Sequence, residues 1–164
     1  MMYASKEDFV ADFAKRTKDN CEATVGVPYE VTQLINSMIG LLIIPEQKIY
    51  NEITDGMISK DLFESISIGI QEYTYEEEHN LQNIARHIRN AVAHSRLKFD
   101  AEKKPIEGMP LEIKSVNFMD GYEDEQKNFI CKFKMNISID MLKKFLYAFA
   151  DAASKTSVKK GREK

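Results

Sequence analysis

Within one short stretch, Arg86-His87-Ile88-Arg89-Asn90-Ala91-Val92-Ala93-His94, the chain gathers two guanidinium groups, two imidazoles and a primary amide. An imidazole with its ordinary pKa near ~6.5 exchanges protons at neutral pH. A guanidinium offers paired hydrogen bonds to a phosphate or carboxylate. An amide donates and accepts, so it can orient either neighbour. These groups suit acid–base work beside an anion. They are equally what a solvated helix end carries when cations answer the negative end of the dipole. Residue types alone leave both readings open.

Spacing adds geometry. On an ideal helix, with Ile88 as the inward reference, His87 and His94 lie about 20° apart on one flank and Asn90 about 40° from His94. Arg86 lies outward, about 40° from Asn90, while Arg89 falls on the other flank, roughly 140° from His94. The polar groups thus border a buried stripe. Arg89 and His94 converge on one phosphate only if the helix loosens near His94 or if the two residues come from different chains.

The helix that must position them is marked by apolar residues at Leu81, Ile84, Ala85, Ile88, Ala91 and Val92, with small Ser95 in line. Thr74-Tyr75-Glu76-Glu77 has the form of a capping box, and Glu76, Glu77 and Glu78 complement the positive end of the dipole. Before it, Ser5 to Asn20 reads as a helix with Ser5 as N-cap and Phe9, Val10, Phe13 and Ala14 inward. After the Gly26-Val27-Pro28 turn, Val31, Leu34, Ile35, Met38, Ile39 and Leu42 mark a core helix that Pro45 ends. Ser59 to Ile70 reads as a shorter helix. After Arg96 the period changes: Leu97–Ala101, Leu111–Met119 and Asn128–Ile137 read as strands, the last alternating with Phe129, Cys131, Phe133, Met135 and Ile137 on one face. Asp120-Gly121 opens a polar hairpin connection, with Asp120, Glu123, Asp124 and Glu125 as solubility features at its tip. Ser138 starts a final helix with Ile139, Leu142, Phe145, Leu146 and Phe149 inward. The expectation is one α+β, mainly α, domain over residues 1–154, with a small antiparallel sheet between motif helix and C-terminal helix. A basic tail without apolar anchors follows at 155–164.

At 164 residues, 43% hydrophobic and 30% charged, the chain is long enough for a real core and reads as globular. No apolar run approaches the ~20 residues a membrane helix needs. Charged residues Lys6, Glu7, Asp8 and Asp12 stand where a signal peptide would be apolar, so the expected location is cytoplasmic. Cys21 and Cys131 match no metal spacing and read as free thiols. His79, His87 and His94 lack zinc-ligand spacing, and no glycine-rich phosphate loop is present, so no metal and no cofactor is expected. A net charge of −3 excludes a generally basic nucleic-acid binder; any such contact needs a local patch.

The run Arg89-Asn90-Ala91-Val92-Ala93-His94 resembles the Arg–polar–three residues–His signature of HEPN domains (higher eukaryotes and prokaryotes nucleotide-binding). It ends a long helix and runs into Ser95-Arg96-Leu97-Lys98-Phe99. Ile35-Asn36-Ser37-Met38-Ile39-Gly40-Leu41-Leu42-Ile43-Ile44-Pro45 is similar to the second helix of a plasmid- and phage-associated HEPN group, in which a hairpin and another helix follow the motif. The resemblance covers most of Ser5 to Ala153. It implies a HEPN-like helical bundle forming a homodimer through facing motif helices, and RNA cleavage without metal. Arg89 and His94 would carry the reaction and Asn90 would orient His94. A toxin–antitoxin or defence setting, with an antitoxin as partner, belongs to the same implication.

The implied chemistry is sound from first principles. RNA brings its own nucleophile, the 2′-hydroxyl, so a protein need supply only a base, charge stabilisation and positioning. Arg86, His87, Arg96 and Lys98 would line an RNA path beside the motif, since phosphate binding needs only local positive charge. From other classes, the alternatives are a catalytically silent HEPN module for nucleotide or RNA binding or dimerisation, and a purely structural partner.

Overall fold

The structure is a computed structural model that describes residues 6–23, 30–43, 58–74, 79–102 and 112–161; within these, side chains are described except at 6–11, 30, 38, 39, 43 and 156–161. Among the described residues five helices accompany one antiparallel sheet. In chain order these are α1 (Lys6–Ala23), α2 (Glu30–Ile43), α3 (Lys60–Ser67), β1 (Ile70–Tyr73), α4 (Leu81–Ala93), β2 (Leu97–Glu102), β3 (Glu112–Glu123), β4 (Phe129–Ser138) and α5 (Ile139–Gly161). The expected Ser5, Pro28 and Pro45 signals lie outside the described residues, as do Glu76, Glu77 and Glu78.

The helical layer is held by apolar stripes. Ala14 and Cys21 of α1, Leu34, Ile35, Leu41 and Leu42 of α2, and Leu142, Phe145, Leu146 and Phe149 of α5 are all buried. α1 packs against α5, and Lys18 closes that seam with an ion pair to Asp151 at 3.1 Å. The stripe of the motif helix α4 is buried as its period requires, from Leu81 through Ile84, Ala85, Ile88 and Ala91 to Val92. It faces the inner side of the sheet, where Val116 and Phe118 of β3 and Phe133, Met135 and Ile137 of β4 complete one core. Cys21 and Cys131 are free thiols, the first buried and the second half-buried.

The sheet order is β1-β4-β3-β2. β1 is an addition to the sequence reading. Its four residues, Ile70-Gln71-Glu72-Tyr73, are too short and too polar to announce a strand. They pair because Gly69 lets the backbone approach β4: Asn136 N–H donates to the Gly69 carbonyl at 2.8 Å, and a Cβ at Gly69 would stand 2.4 Å from the Asn136 carbonyl oxygen. The short helix before it is capped by Ser59, whose hydroxyl accepts from Leu62 N–H at 3.3 Å.

Three boundaries are corrected. α4 begins at Leu81, because Asn80 is its cap: the Asn80 side chain accepts from Asn83 N–H at 2.9 Å. Thr74, expected to cap, instead donates its hydroxyl to the Lys132 carbonyl on β4 at 3.0 Å. β3 does not end at Met119. It continues through Asp120-Gly121 to Glu123, with an irregularity in pairing between these two residues, and the turn falls at Asp124 to Asn128. Asp124 builds that turn by accepting from Asn128 N–H at 2.8 Å, the Asn128 amide at 3.2 Å and Gln126 N–H at 2.9 Å, which together hold its carboxyl below the usual range. The α5 backbone is helical to Gly161, past Lys155, where a tail was expected to begin.

Candidate functional site

The motif lies at the C-terminal end of α4, and the way this end closes decides what faces solvent. His94 is the cap residue, with φ −98° and ψ 12°, already outside helical geometry. Ser95 follows in the left-handed region at φ 54°. Ser95 N–H donates to the Val92 carbonyl at 3.0 Å and Arg96 N–H to the Ala91 carbonyl at 2.7 Å, the paired bonds of a Schellman closure. The chain therefore reverses directly after His94 and sends Arg96 back over the helix into β2. His94 is left exposed, and its ring has no hydrogen-bond partner among the described residues.

One turn earlier, the polar flank is locked from the sheet. Asp120, on the inner face of β3, is buried. Its Oδ2 accepts from the Asn90 amide nitrogen at 3.0 Å and lies 2.8 Å from His87 Nδ1. Its Oδ1 accepts from Gly121 N–H at 2.8 Å and stands 3.9 Å from Arg96 Nη1. Arg96 Nη1 also donates to the Gly121 carbonyl at 2.8 Å, and its guanidinium lies over the half-exposed Phe129 ring, 4.6 Å from the centroid. Burial by itself raises the Asp120 carboxyl and is the largest single influence on it. The hydrogen bonds from His87, Asn90 and the Gly121 amide, with the charge of His87, together outweigh it and hold Asp120 below the usual carboxylate range.

Asn90 turns its amide nitrogen to Asp120 and its oxygen to Arg89, whose Nη2 donates to it at 3.4 Å. The arginine thus leans round the helix toward Asn90, the position between it and His94. Asn90 does not hold His94; it links Arg89 to Asp120.

The other expected site residues separate. His87 is not on an RNA-facing surface. It is 3% exposed, stacked parallel to Phe133 at 4.8 Å and edge-on to Tyr73 at 5.6 Å. Its flank, adjoining the apolar stripe, faces the sheet rather than solvent. Arg86 and Arg96 are half-buried beside the motif. Lys98 is exposed, but it pairs with Asn117, which alternates with the inward Val116 and Phe118. Lys98 therefore stands on the sheet face turned away from α4.

Asp120 is the residue that the hairpin-tip reading misplaced. Its signal was present: Val116, Phe118 and Asp120 share one parity, so a continuous strand turns the carboxylate inward with the two apolar residues. Gly121 makes that continuation workable, because a Cβ there would meet the Ile130 carbonyl oxygen at 2.0 Å.

Helices packed on one face of an antiparallel sheet, with an Arg-Asn-x-x-x-His sequence closing the helix against it, define an α+β domain of HEPN type. Among known families, the profile described as HEPN pEK499 p136 matches residues 1–160. The chain belongs to this HEPN family. No curated protein and no solved structure matches it. Among the described residues no helix is long and apolar enough to cross a membrane.

Proposed function

We propose that this chain is a metal-independent endoribonuclease. The observation that carries the reading is the contrast between the two ends of the motif: His94 is exposed at the helix cap, while Arg89 and Asn90 are tied into a network anchored by a buried carboxylate. In a HEPN chain this leaves one imidazole open to substrate beside an oriented cation. His94 takes the proton of an RNA 2′-hydroxyl, and the 2′-oxygen bonds to the adjacent phosphorus. The P–O5′ bond breaks, and O5′ takes up a proton from water. Arg89 bears the charge developing on the phosphoryl oxygens. The products are a 2′,3′-cyclic phosphate and a 5′-hydroxyl. Arg86 and Arg96 supply the local positive charge for the strand; Lys98 meets RNA only where it passes the outer sheet face.

The working unit is a homodimer with facing motif helices, acting in the cytoplasm, in a toxin–antitoxin or defence setting where an antitoxin restrains it. The test is incubation of purified wild type and His94→Ala with mixed single-stranded RNAs in the presence of a chelator, followed by end-group analysis. Cleavage by wild type alone, leaving cyclic phosphate ends, is the expected result. Intact RNA with both proteins sinks the nuclease reading. A second reading is a catalytically silent module for nucleotide or RNA binding or dimerisation; the net charge of −3, which gives no general attraction for RNA, weighs against the nuclease and, within this reading, toward dimerisation. It predicts RNA retention or dimer formation that His94→Ala leaves unchanged.

A further inference from the structure

We infer that Asp120 of β3 is the positioning residue of the motif, acting through Asn90 to hold the Arg89 guanidinium. The inference rests on the nuclease reading for its kinetic consequence, though not for its geometry.

The argument begins with cost. A carboxylate taken out of water is expensive unless its lone pairs are all engaged. Asp120 meets that condition with hydrogen-bond donors from two elements, His87 and Asn90 on α4 and its own neighbour Gly121 on β3, and with the Arg96 charge 3.9 Å away after the reversal. A solubility residue needs no such arrangement. The two oxygens are also divided by task. Oδ1 faces the Gly121 amide and Arg96, which fixes the carboxylate to the strand and to the helix exit. Oδ2 faces α4 alone and receives both His87 and Asn90.

His87 completes the mount. Stacked on Phe133 and nearly excluded from water, it presents Nδ1 to Oδ2 from a fixed ring. The carboxylate is thus gripped from both sides, leaving Asn90 as its outlet toward the solvent-bordering flank. A carboxylate only accepts, so Asn90 must point its amide nitrogen inward and its oxygen outward, where Arg89 Nη2 donates to it. Reversing the Asn90 amide would set oxygen against oxygen. The order Asp120–Asn90–Arg89 therefore converts a buried charge on the sheet into a defined direction for a cation at the helix surface. It also gives the strand pair after the motif a job in the site: β3 carries the anchor.

Asp120→Asn removes the charge and turns one of the two acceptor oxygens into a donor with little change of shape, so the donors of α4 on one side and the Gly121 amide on the other are no longer all met. The expected result is a fall in kcat of roughly 10–100-fold with KM within about twofold, because misdirecting a charge-stabilising group acts mainly on the transition state. Asn90→Ala should give a similar loss, and the double variant should be no worse than Asn90→Ala alone. Losses that multiply, or a change in KM with kcat intact, overturn the inference. A second arm needs no activity. In NMR spectra of the wild type, the Asn90 Nδ2 protons should exchange slowly and the Arg89 guanidinium should be ordered. Both signatures should vanish in Asp120→Asn while α1 and α5 resonances stay in place. Asn90 protons exchanging in the wild type as fast as those of a solvated amide overturn the inference, even if Asp120→Asn fails to fold. A wild type that cuts no RNA removes the nuclease reading and leaves this arm to decide the positioning role.

Discussion

His87 stacks on Phe133 with ring centroids 4.8 Å apart and planes 6° from parallel, so this motif-helix imidazole is a core ring shared with the sheet. Its removal leaves both a cavity and a buried Asp120 short of a donor. His87→Ala should therefore lower the free energy of unfolding by about 2–4 kcal/mol, read as a shift in urea midpoint. RNA affinity of the folded fraction should hardly change. A variant of unaltered stability with weakened RNA binding would return His87 to the surface role that residue type first suggested.

What the sequence made legible was what short-range physics controls. The α4 stripe, the inward faces of α2 and α5 and the alternation of Phe133, Met135 and Ile137 follow from helix and strand periods; Leu34, Ile35 and Leu42, Leu142, Phe145, Leu146 and Phe149 are buried, while Val31 and Ile139 are partly so. Asn80 and Thr74 show where that reading stopped. Both residue types can cap, and only the β4 carbonyl that takes the Thr74 hydroxyl separates them. The site divided in the same way. Arg89, Asn90 and His94 are singled out by the resemblance to the HEPN signature, while their helical spacing gives only the flanks they occupy. The bond from Asn90 to Asp120, 30 residues away, requires the sheet register that brings β3 under α4. His87 was misassigned because helical angle places a residue on a flank without saying which neighbour covers it.

Acid should expose the anchor. Asp120 is held below its unfolded value near ~3.9, so its ionised form stabilises the fold. That contribution is present above the unfolded value and is lost as pH falls through it toward the lowered native value. Urea unfolding between pH 2 and 7 should show a steep acid limb that Asp120→Asn flattens, with a loss of about 1–3 kcal/mol at neutral pH. An unchanged acid limb in that variant would remove Asp120 from the groups linking pH to stability. Asp100 is also held low, by hydrogen bonds from Ser115, then Asn117 and Asn136. It is solvent-facing, so its depressed titration should be visible by NMR without a comparable stability change.

Gly121 should resist substitution. The contact for an added Cβ is the backbone carbonyl of Ile130, which cannot swing aside as a side chain can. Gly121→Ala should cost about 3 kcal/mol, in the upper range for overpacking, by forcing β3 and β4 apart beside Asp120. The measurement is the unfolding midpoint together with the Asn90 side-chain amide resonance. A midpoint within experimental error of wild type would mean that β3 relaxes without disturbing the anchor.

His94 and Arg89 should separate catalysis from folding. His94 is exposed with no ring hydrogen bond among the described residues, so His94→Ala should change stability by less than about 0.5 kcal/mol. RNA cleavage should nevertheless fall by roughly 100-fold or more, the scale of a lost general base. Arg89→Ala should cut cleavage comparably while freeing Asn90 on its outer side. Mixing the two inactive chains then discriminates between the routes by which arginine and histidine meet. If each reaction centre takes Arg89 from one protomer and His94 from the other, heterodimers regain one intact centre of two, and cleavage should rise to a maximum near equal mixing, toward about a quarter of the wild-type rate because only half of the dimers are then mixed. If the lean of Arg89 onto Asn90 brings it to the His94 of its own chain, every centre in the mixture carries one defect, and cleavage stays at the level of the single variants. Subunit exchange followed by native mass spectrometry confirms that heterodimers are present, so a flat mixing curve assigns the site to one chain.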